Sequence, residues 1–315
     1  MKFFVKKFTS LIFTVLLVTL FVFLAFELIP GDAATARLGT KATPEALAAL
    51  REELGLNRPF FVRYISWLYA FFFGDMGTSI SYGMSVRSML GDKLPITVTL
   101  TLMAFVFIVI LSIPMGLVTS KYENRTISKV ISVLEQLVMA IPPFFLGILI
   151  TYIFGIVFRL FTPGGFVSYD VNFGKFLAYL IFPALAIALP KAAMNTKLLR
   201  TSILSEAKLD YVRTAYSRGN STMDVLYRHV LKNALIPVVT FLGMTLADIV
   251  AGSLVIEQVF SIPGFGRLLI SSIANRDYPV VQAIIAIIAI IVIVINLLVD
   301  IMYRIFDPRL REESL

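Results

Sequence analysis

Very few side chains in this 315-residue chain could support acid–base, nucleophilic or metal chemistry. The sequence contains no cysteine and a single histidine, His229, so it offers no thiol nucleophile and no histidine cluster for a metal or a proton relay. His229 lies beside Arg228 and Lys232, where we expect it to pack or to form a hydrogen bond. The phosphate-binding pattern GxxxxGK[ST] is absent as well. We therefore expect no catalytic residue, no metal ligand and no bound cofactor in this chain.

Asp248 is the most unusual ionisable residue, because it sits near the middle of an apolar run, Ala234–Ile256. A carboxylate at the centre of a membrane helix costs about 2.5–3.5 kcal/mol on insertion scales and usually faces a cavity or a partner. We predict that Asp248 faces a cavity or an interface with a partner subunit, not lipid, and that it meets a positive group there.

Asp248 also bears on how transport could be driven. One isolated acid does not make an ion-coupling relay, so a secondary transporter is the weaker alternative and the energy source is expected elsewhere. A membrane enzyme would need a catalytic pair within the apolar runs, and the sequence shows none.

A polar, basic segment, Glu206–Pro237, separates two apolar runs and is longer than a simple connection requires. Besides His229 it carries five cations against three acids, namely Lys208, Arg213, Arg218, Arg228 and Lys232 against Glu206, Asp210 and Asp224. Its central residue, Gly219, can adopt a turn conformation that other residues resist. The sequence predicts a platform of two short helices bracketing Gly219 that offers a binding surface in the cytoplasm.

The apolar runs that must position these groups point to a polytopic membrane protein. The chain is 58% hydrophobic and 15% charged, well below the charge content of soluble domains. Six runs are long enough to cross a bilayer, and they are Phe8–Leu28, Pro95–Thr119, Val133–Phe158, Phe176–Ala193, Ala234–Ile256 and Val280–Tyr303. The predicted fold is all-α, with six transmembrane helices in one domain spanning residues 1–315.

Prolines interrupt several runs and are expected to bend them. They are Pro114, Pro142, Pro143, Pro183 and Pro190. The adjacent pair Pro142-Pro143 is the best candidate for a bend that lets helices rock around a central path, although ordinary membrane packing explains single prolines equally well.

The distribution of Lys and Arg predicts the orientation. Seventeen Lys and Arg residues fall in the set of segments that holds both termini and the basic segment, and eleven fall in the alternate set. Most of those eleven lie in residues 30–94, and the charges of so long a segment have little influence on orientation. We expect both termini and residues 200–235 in the cytoplasm and residues 30–94 outside. The net charge of +8 then reflects topology rather than nucleic-acid binding.

The long outer segment is expected to contain two helices. Pro44 follows Thr43, an N-cap residue with proline at the first helical position, and apolar residues recur at helical spacing up to Leu54. Residues Phe60–Phe73 include Trp67 and read as an aromatic helix at the level of the lipid headgroups.

Four stretches of the sequence together resemble one family of membrane proteins, the permeases of ABC importers. More narrowly, they are similar to the first permease subunit of the dipeptide/oligopeptide/nickel branch. The stretches are Asp210–Ala215 with Gly219 and His229–Pro237; Ile29–Asp32; Leu54–Pro59 with Gly74–Ser79; and Glu257–Gly266 with Arg276–Gln282. Where the general importer pattern has Glu-Ala-Ala, this chain has Arg213-Thr214-Ala215, a form that suits the peptide/nickel branch.

The resemblance implies a type I importer in a prokaryotic cytoplasmic membrane. A second homologous permease would complete a pseudo-symmetric pore, two cytoplasmic ATPase subunits would bind ATP and Mg, and an extracytoplasmic binding protein would deliver the substrate. Peptides are the expected substrates, with nickel chelates as the close alternative. No nucleic acid is expected as a partner.

The resemblance also assigns expected roles. The ATPase-coupling residues would be Glu206, Asp210, Tyr211, Arg213, Thr214, Ala215, Gly219 and His229. The residues at the translocation path or the partner-permease interface would be Pro142, Pro143 and Asp248, the last of which departs from the small or neutral residue expected there. The outer loop that docks the binding protein would use Glu257, Pro263, Gly264 and Asp277.

Overall fold

The computed structural model describes residues 2–28, 33–38, 43–53 and 55–306. Over these ranges the protein is helical, and its only β-type pairing is an isolated bridge between Thr78 and Ser85. The all-α prediction is confirmed. The expected end of the outer helix at Leu54 and the stretch Ile29–Asp32 lie outside the described residues.

Fourteen α-helices occur in the described ranges, two of them continuous with π-helical turns. They are α1 (Lys2–Leu28), α2 (Ala33–Leu38), α3 (Pro44–Glu53), α4 (Phe60–Phe72), α5 (Val86–Gly91), α6 (Leu94–Lys121), α7 (Thr126–Ala140), α8 (Pro143–Ile150, then π-helical over Thr151–Val157), α9 (Phe173–Glu206), α10 (Asp210–Ser217), α11 (Thr222–Asp224, then π-helical over Val225–Val230), α12 (Leu231–Val259), α13 (Phe265–Ala274) and α14 (Tyr278–Phe306). They cluster into two compact units, and the single domain over residues 1–315 stays a prediction.

The first unit comprises Met1–Thr97 and Pro263–Val294. Here α4 packs on α1 through polar and aromatic contacts: Tyr64 donates a hydrogen bond to the carbonyl of Leu16 at 2.9 Å, and the Phe23 ring lies 5.7 Å from that of Trp67. Arg63 forms an ion pair with Glu27. The aromatic helix predicted over Phe60–Phe73 is therefore found one residue shorter, with one face packed and the other exposed.

The outer helix α3 begins where the sequence predicts. The hydroxyl of Thr43 accepts a hydrogen bond from the amide of Ala46 at 3.3 Å, which satisfies one of the amides left free at a helix start. Pro44 occupies the first helical position, where a missing N–H costs nothing.

The second unit comprises Val98–Ile262 and Ile295–Leu315, and α9 is its central element. This 34-residue helix packs against α7, α8 and α12. It continues well past the predicted end at Ala193, with Pro183 and Pro190 inside it. Proline is tolerated within membrane helices when neighbouring helices and local adjustments satisfy the freed backbone groups. These two prolines were expected to interrupt the helix, and they do not.

In the part of the chain that the structure describes, five helical segments are long and apolar enough to cross a membrane, or six if one bent pair counts as a single span. The bent pair is α7 and α8, which meet at 106°. The bend lies at the Pro142-Pro143 pair, where the sequence predicts one, and it divides the run Val133–Phe158 between two helices. Because a proline disfavours helical backbone in the residue before it, Pro143 holds Pro142 extended (φ −59°, ψ 140°) and starts a new helix itself.

Glycine permits a close helix approach within the second unit. A Cβ placed on Gly243 of α12 would lie 2.5 Å from Cγ1 of Val299 on α14. The same atom placed on Gly252, two turns further along α12, would meet nothing within 4 Å. Of these two glycines of α12, Gly243 alone is required for packing against α14.

We therefore expect Gly243→Ala to destabilise the isolated subunit by about 1–3 kcal/mol, the usual cost of overpacking. The matched variant Gly252→Ala should be neutral or slightly stabilising, since alanine favours a helix interior over glycine by roughly 0.5–1 kcal/mol. Thermal unfolding of the purified chain in detergent measures both. Equal midpoints for the two variants would contradict the packing argument.

Candidate functional site

The basic segment is built around a left-handed turn. Helix α10 ends at Ser217, and Gly219 adopts φ +82°, a conformation that side chains with a Cβ rarely take. Ser221 then caps the next helix by accepting a hydrogen bond from the amide of Asp224 at 3.2 Å. The short helix predicted before Gly219 is confirmed as α10.

The second predicted short helix is not separate. Helix α11 passes through the π-helical turn Val225–Val230 directly into α12, and Thr222–Val259 forms one apolar span of 38 residues. No glycine or proline occurs between Ser221 and Asn233 to end it, so a helix once capped at Ser221 continues. A π-helical turn within an α-helix often marks a functional position.

Tyr211 connects three elements of this segment. Its hydroxyl donates to the Glu206 carboxylate at the end of α9 at 2.6 Å and accepts from the Asn233 side-chain amide on α12 at 3.2 Å. Partial burial, and then the hydrogen bond to Glu206, raise the pKa of Tyr211 above its usual value, so it remains a neutral donor at physiological pH. Sequence reasoning assigned coupling roles to Tyr211 and Glu206, but it noted Asn233 only as part of the stretch His229–Pro237 and gave it no role.

The remaining predicted coupling residues form an amphipathic surface. Val212 and Ala215 are buried, whereas Asp210, Arg213 and Thr214 are exposed on α10. Arg213 lies 3.6 Å from the Asp210 carboxylate, one turn away. The other exposed groups of the segment include Arg218, Arg228 and His229. His229, which we expected to pack or to form a hydrogen bond, is thus exposed among cations.

Asp248 has a cationic partner in its own chain. Nζ of Lys191 lies 2.8 Å from Oδ2 of Asp248, so the expectation of an isolated acid is wrong. The Asp248 side chain is 66% exposed and that of Lys191 25% exposed. Lys191 was missed because the fourth apolar run was ended at Ala193, which placed the lysine at the cytoplasmic end of that run, and it was counted with the cytoplasmic cations. Helix α9 in fact continues to Glu206, and the absence of any glycine or proline between Lys191 and Glu206 could have shown this.

Two of the predicted outer docking residues are buried. Asp277 is fully buried in the first unit, where its carboxylate accepts hydrogen bonds from the Ser79 hydroxyl and from the amides of Ile80 at 3.0 Å and Ser81 at 3.2 Å. Glu257 is fully buried in the second unit. The expectation that these carboxylates dock a binding protein directly does not fit their burial.

Pro263 and Gly264 lie in the connection between α12 and α13. Gly264 has φ −96°, open to any residue, whereas Ser261 takes the left-handed conformation at φ 56°. The backbone at position 264 therefore does not require the conformational freedom of glycine. The connection leads into α13, which is too short to cross a membrane. Pro142 and Pro143 are exposed at the bend between α7 and α8, and their proposed role in rocking stays a prediction.

Comparison with known proteins identifies the family. The family described as "Binding-protein-dependent transport system inner membrane component" matches residues 112–312, and the corresponding N-terminal family matches residues 1–101. The chain belongs to this family of permeases. It is the membrane-spanning permease component of an ABC importer, in agreement with the resemblance found in the sequence, and the secondary-transporter alternative is set aside.

Several relatives resemble this permease over almost its whole length. A putative peptide transport system permease of Brucella abortus is 36% identical over 306 residues, covering 97% of this chain and 98% of the relative. The oligopeptide transport system permease AppB of Bacillus subtilis is 34% identical over 296 residues, covering 93% and 94%. The dipeptide transport system permease DppB of Alkalihalophilus pseudofirmus is 31% identical over 313 residues, again covering 93% and 94%.

In this permease, the described residues contain no group of three or more His, Asp or Glu side chains arranged to hold a metal ion. Two of its exposed polar features are the cationic face around Gly219 and the Lys191–Asp248 pair. The first is suited to contact with another protein, and the second places opposite charges on an exposed surface within two membrane spans.

Proposed function

We propose that this permease forms half of a translocation pore for di- and oligopeptides, in a prokaryotic cytoplasmic membrane. The observation that carries the proposal is the similarity, over more than nine-tenths of the chain, to relatives named as peptide, oligopeptide and dipeptide permeases. A second homologous permease completes the pore, and an extracytoplasmic binding protein delivers the peptide. Nickel chelates remain the alternative substrate.

The energy for import comes from two partner ATPase subunits that bind ATP and Mg, and the permease itself hydrolyses nothing. The exposed cations of α10 and of the π-helical turn after α11 support this docking role. The face is amphipathic, with Val212 and Val225 buried beneath it. Because Tyr211 is hydrogen-bonded to both Glu206 and Asn233, movement of α10 by a bound ATPase would be passed to α9 and α12 together.

Reconstitution tests this function. The permease, its neighbouring permease, both ATPases and the binding protein are assembled in liposomes, and uptake of a labelled tripeptide and of a nickel chelate is compared with and without ATP. We expect ATP-dependent tripeptide uptake and no ATP hydrolysis by the permease alone. Uptake of the nickel chelate only would replace the peptide assignment, and uptake driven by an ion gradient without the ATPases would overturn the importer class.

The proposed orientation places residues 30–94 outside and residues 200–235, like both termini, in the cytoplasm. Because the chain has no native cysteine, single cysteines report position without background. Ala48 on α3 and Ser217 on α10 are both exposed. In right-side-out vesicles, Ala48→Cys should react with an impermeant maleimide, and Ser217→Cys should react only after the membrane is ruptured. The opposite pattern would reverse the topology.

A further inference from the structure

The Lys191–Asp248 pair lies within two membrane spans, away from their ends. Lys191 is 18 residues from the start of α9 and 15 from its end, and Asp248 is 26 and 11 residues from the ends of the continuous span Thr222–Val259. At 1.5 Å per residue both lie at least about 16 Å from every helix end. The two ions therefore sit at a depth where charged groups face a cavity or a partner rather than lipid.

The pair is accessible from one side. Two-thirds of the Asp248 side chain is exposed although its carboxylate contacts the Lys191 ammonium. Burying both ions inside the contact between α9 and α12 would carry a large desolvation cost for each of them. Here, one anion and one cation are instead presented together on an exposed surface.

The residues next to the pair suit a permissive binding surface. Met194 follows Lys191 by three residues on α9, and Met244 precedes Asp248 by four residues on α12, so each shares a helix face with its ion. Both methionines are exposed, to 38% and 57%. Unbranched, polarisable methionine side chains adapt to ligands of varied shape.

We propose that the Lys191–Asp248 pair binds the charged ends of a zwitterionic peptide during translocation. The peptide's α-ammonium group would bind Asp248, and its α-carboxylate would bind Lys191. Every unblocked peptide carries these two groups whatever its side chains, so a site for them accepts many sequences. Without peptide the two ions neutralise each other. The inference rests on the proposed function, because it assumes that peptides pass this surface.

Matched peptides test the assignment in the reconstituted complex. Trialanine is compared with its N-acetylated, its C-amidated and its doubly blocked forms, and each KM is expressed relative to the wild-type complex, which cancels the preferences of the binding protein. Asp248→Asn should raise KM about tenfold for the two peptides with a free ammonium group and leave the N-acetylated forms within about twofold. Lys191→Gln should do the same for the two peptides with a free carboxylate.

Two further variants keep the test decisive. Asp248→Asn combined with Lys191→Gln leaves no unpaired charge and should transport all four peptides with similar KM values. Met244→Leu alters the adjoining surface without changing charge and should show no selectivity for blocked or free ends. Both are checked for assembly with the second permease.

An equal change for all four peptides in the single variants would overturn the inference, as would loss of the second permease from the complex, since either result assigns the pair to structure. Such a result would leave ATP-dependent peptide uptake by the wild-type complex, and hence the proposed function, intact. Failure of the wild-type complex to transport any of the four peptides would overturn the proposed function and this inference with it.

Discussion

Gly219→Val should abolish transport-coupled ATP hydrolysis in the assembled complex while leaving membrane insertion intact. Gly219 has φ +82°, and a Cβ placed there would meet nothing within 4 Å. The cost is therefore conformational rather than steric. Holding a residue with a Cβ in a disfavoured region costs about 1–3 kcal/mol, and β-branched residues are especially restricted there. The turn would relax, and α10 would lose its position relative to the ATPase.

The measurement is ATP hydrolysis by the purified complex with and without the peptide-loaded binding protein. Gly219→Asn should keep much of the coupling, because asparagine tolerates the left-handed conformation. Gly164→Val is the matched control outside the basic segment: Gly164 has φ +76° and equally open space. Normal coupling in Gly219→Val, or an equal loss in Gly164→Val, would refute the role of this turn.

Asp277→Ala should release the loop that follows Thr78. The Asp277 carboxylate accepts hydrogen bonds from the Ser79 hydroxyl and from the amides of Ile80 and Ser81. Removing a buried acceptor leaves each donor without its partner, and together these losses should cost about 3 kcal/mol of local stability. Because amide hydrogens exchange when the loop opens locally, a lower free energy of opening should make the two amides exchange roughly a hundredfold faster.

Hydrogen exchange followed by mass spectrometry measures this effect in peptides covering residues 78–85. The control is Asp75→Ala in the same segment, because the exposed Asp75 carboxylate accepts a hydrogen bond from the amide of Gly77 at 3.0 Å and is not buried. It should change exchange little. If Asp277→Ala left exchange at Ile80 and Ser81 unchanged, the bonds to Asp277 would not hold this loop.

Much of the fold could be predicted, because long apolar runs and helix-start residues are local signals. The Thr43 cap of α3 and the helices in five of the six apolar runs follow from such signals. The bend between α7 and α8 was predicted from Pro142 and Pro143, but its angle of 106° was not. Hydropathy averages over a window and cannot register a change of direction within it.

The candidate site was less predictable, because its decisive contacts join distant parts of the chain. Asp248 was identified because a carboxylate within a membrane helix carries a free-energy cost. Its partner Lys191 lies 57 residues earlier, and no sequence pattern relates the two. The resemblance assigned Asp277 and Glu257 to an outer docking loop, whereas both are fully buried in the structure. A buried carboxylate is revealed only by the donors that surround it, such as the amides of Ile80 and Ser81.

The hydrogen bonds of Asp277 also constrain the order in which the protein can fold. They join residues as much as 198 positions apart in the sequence. At a synthesis rate of about 5–20 residues per second, the loop at Ser79 exists for on the order of ten seconds or more before Asp277 has been made. During that interval the loop must remain soluble with its amides hydrated. The first unit is therefore completed only after nearly the whole chain has been synthesised.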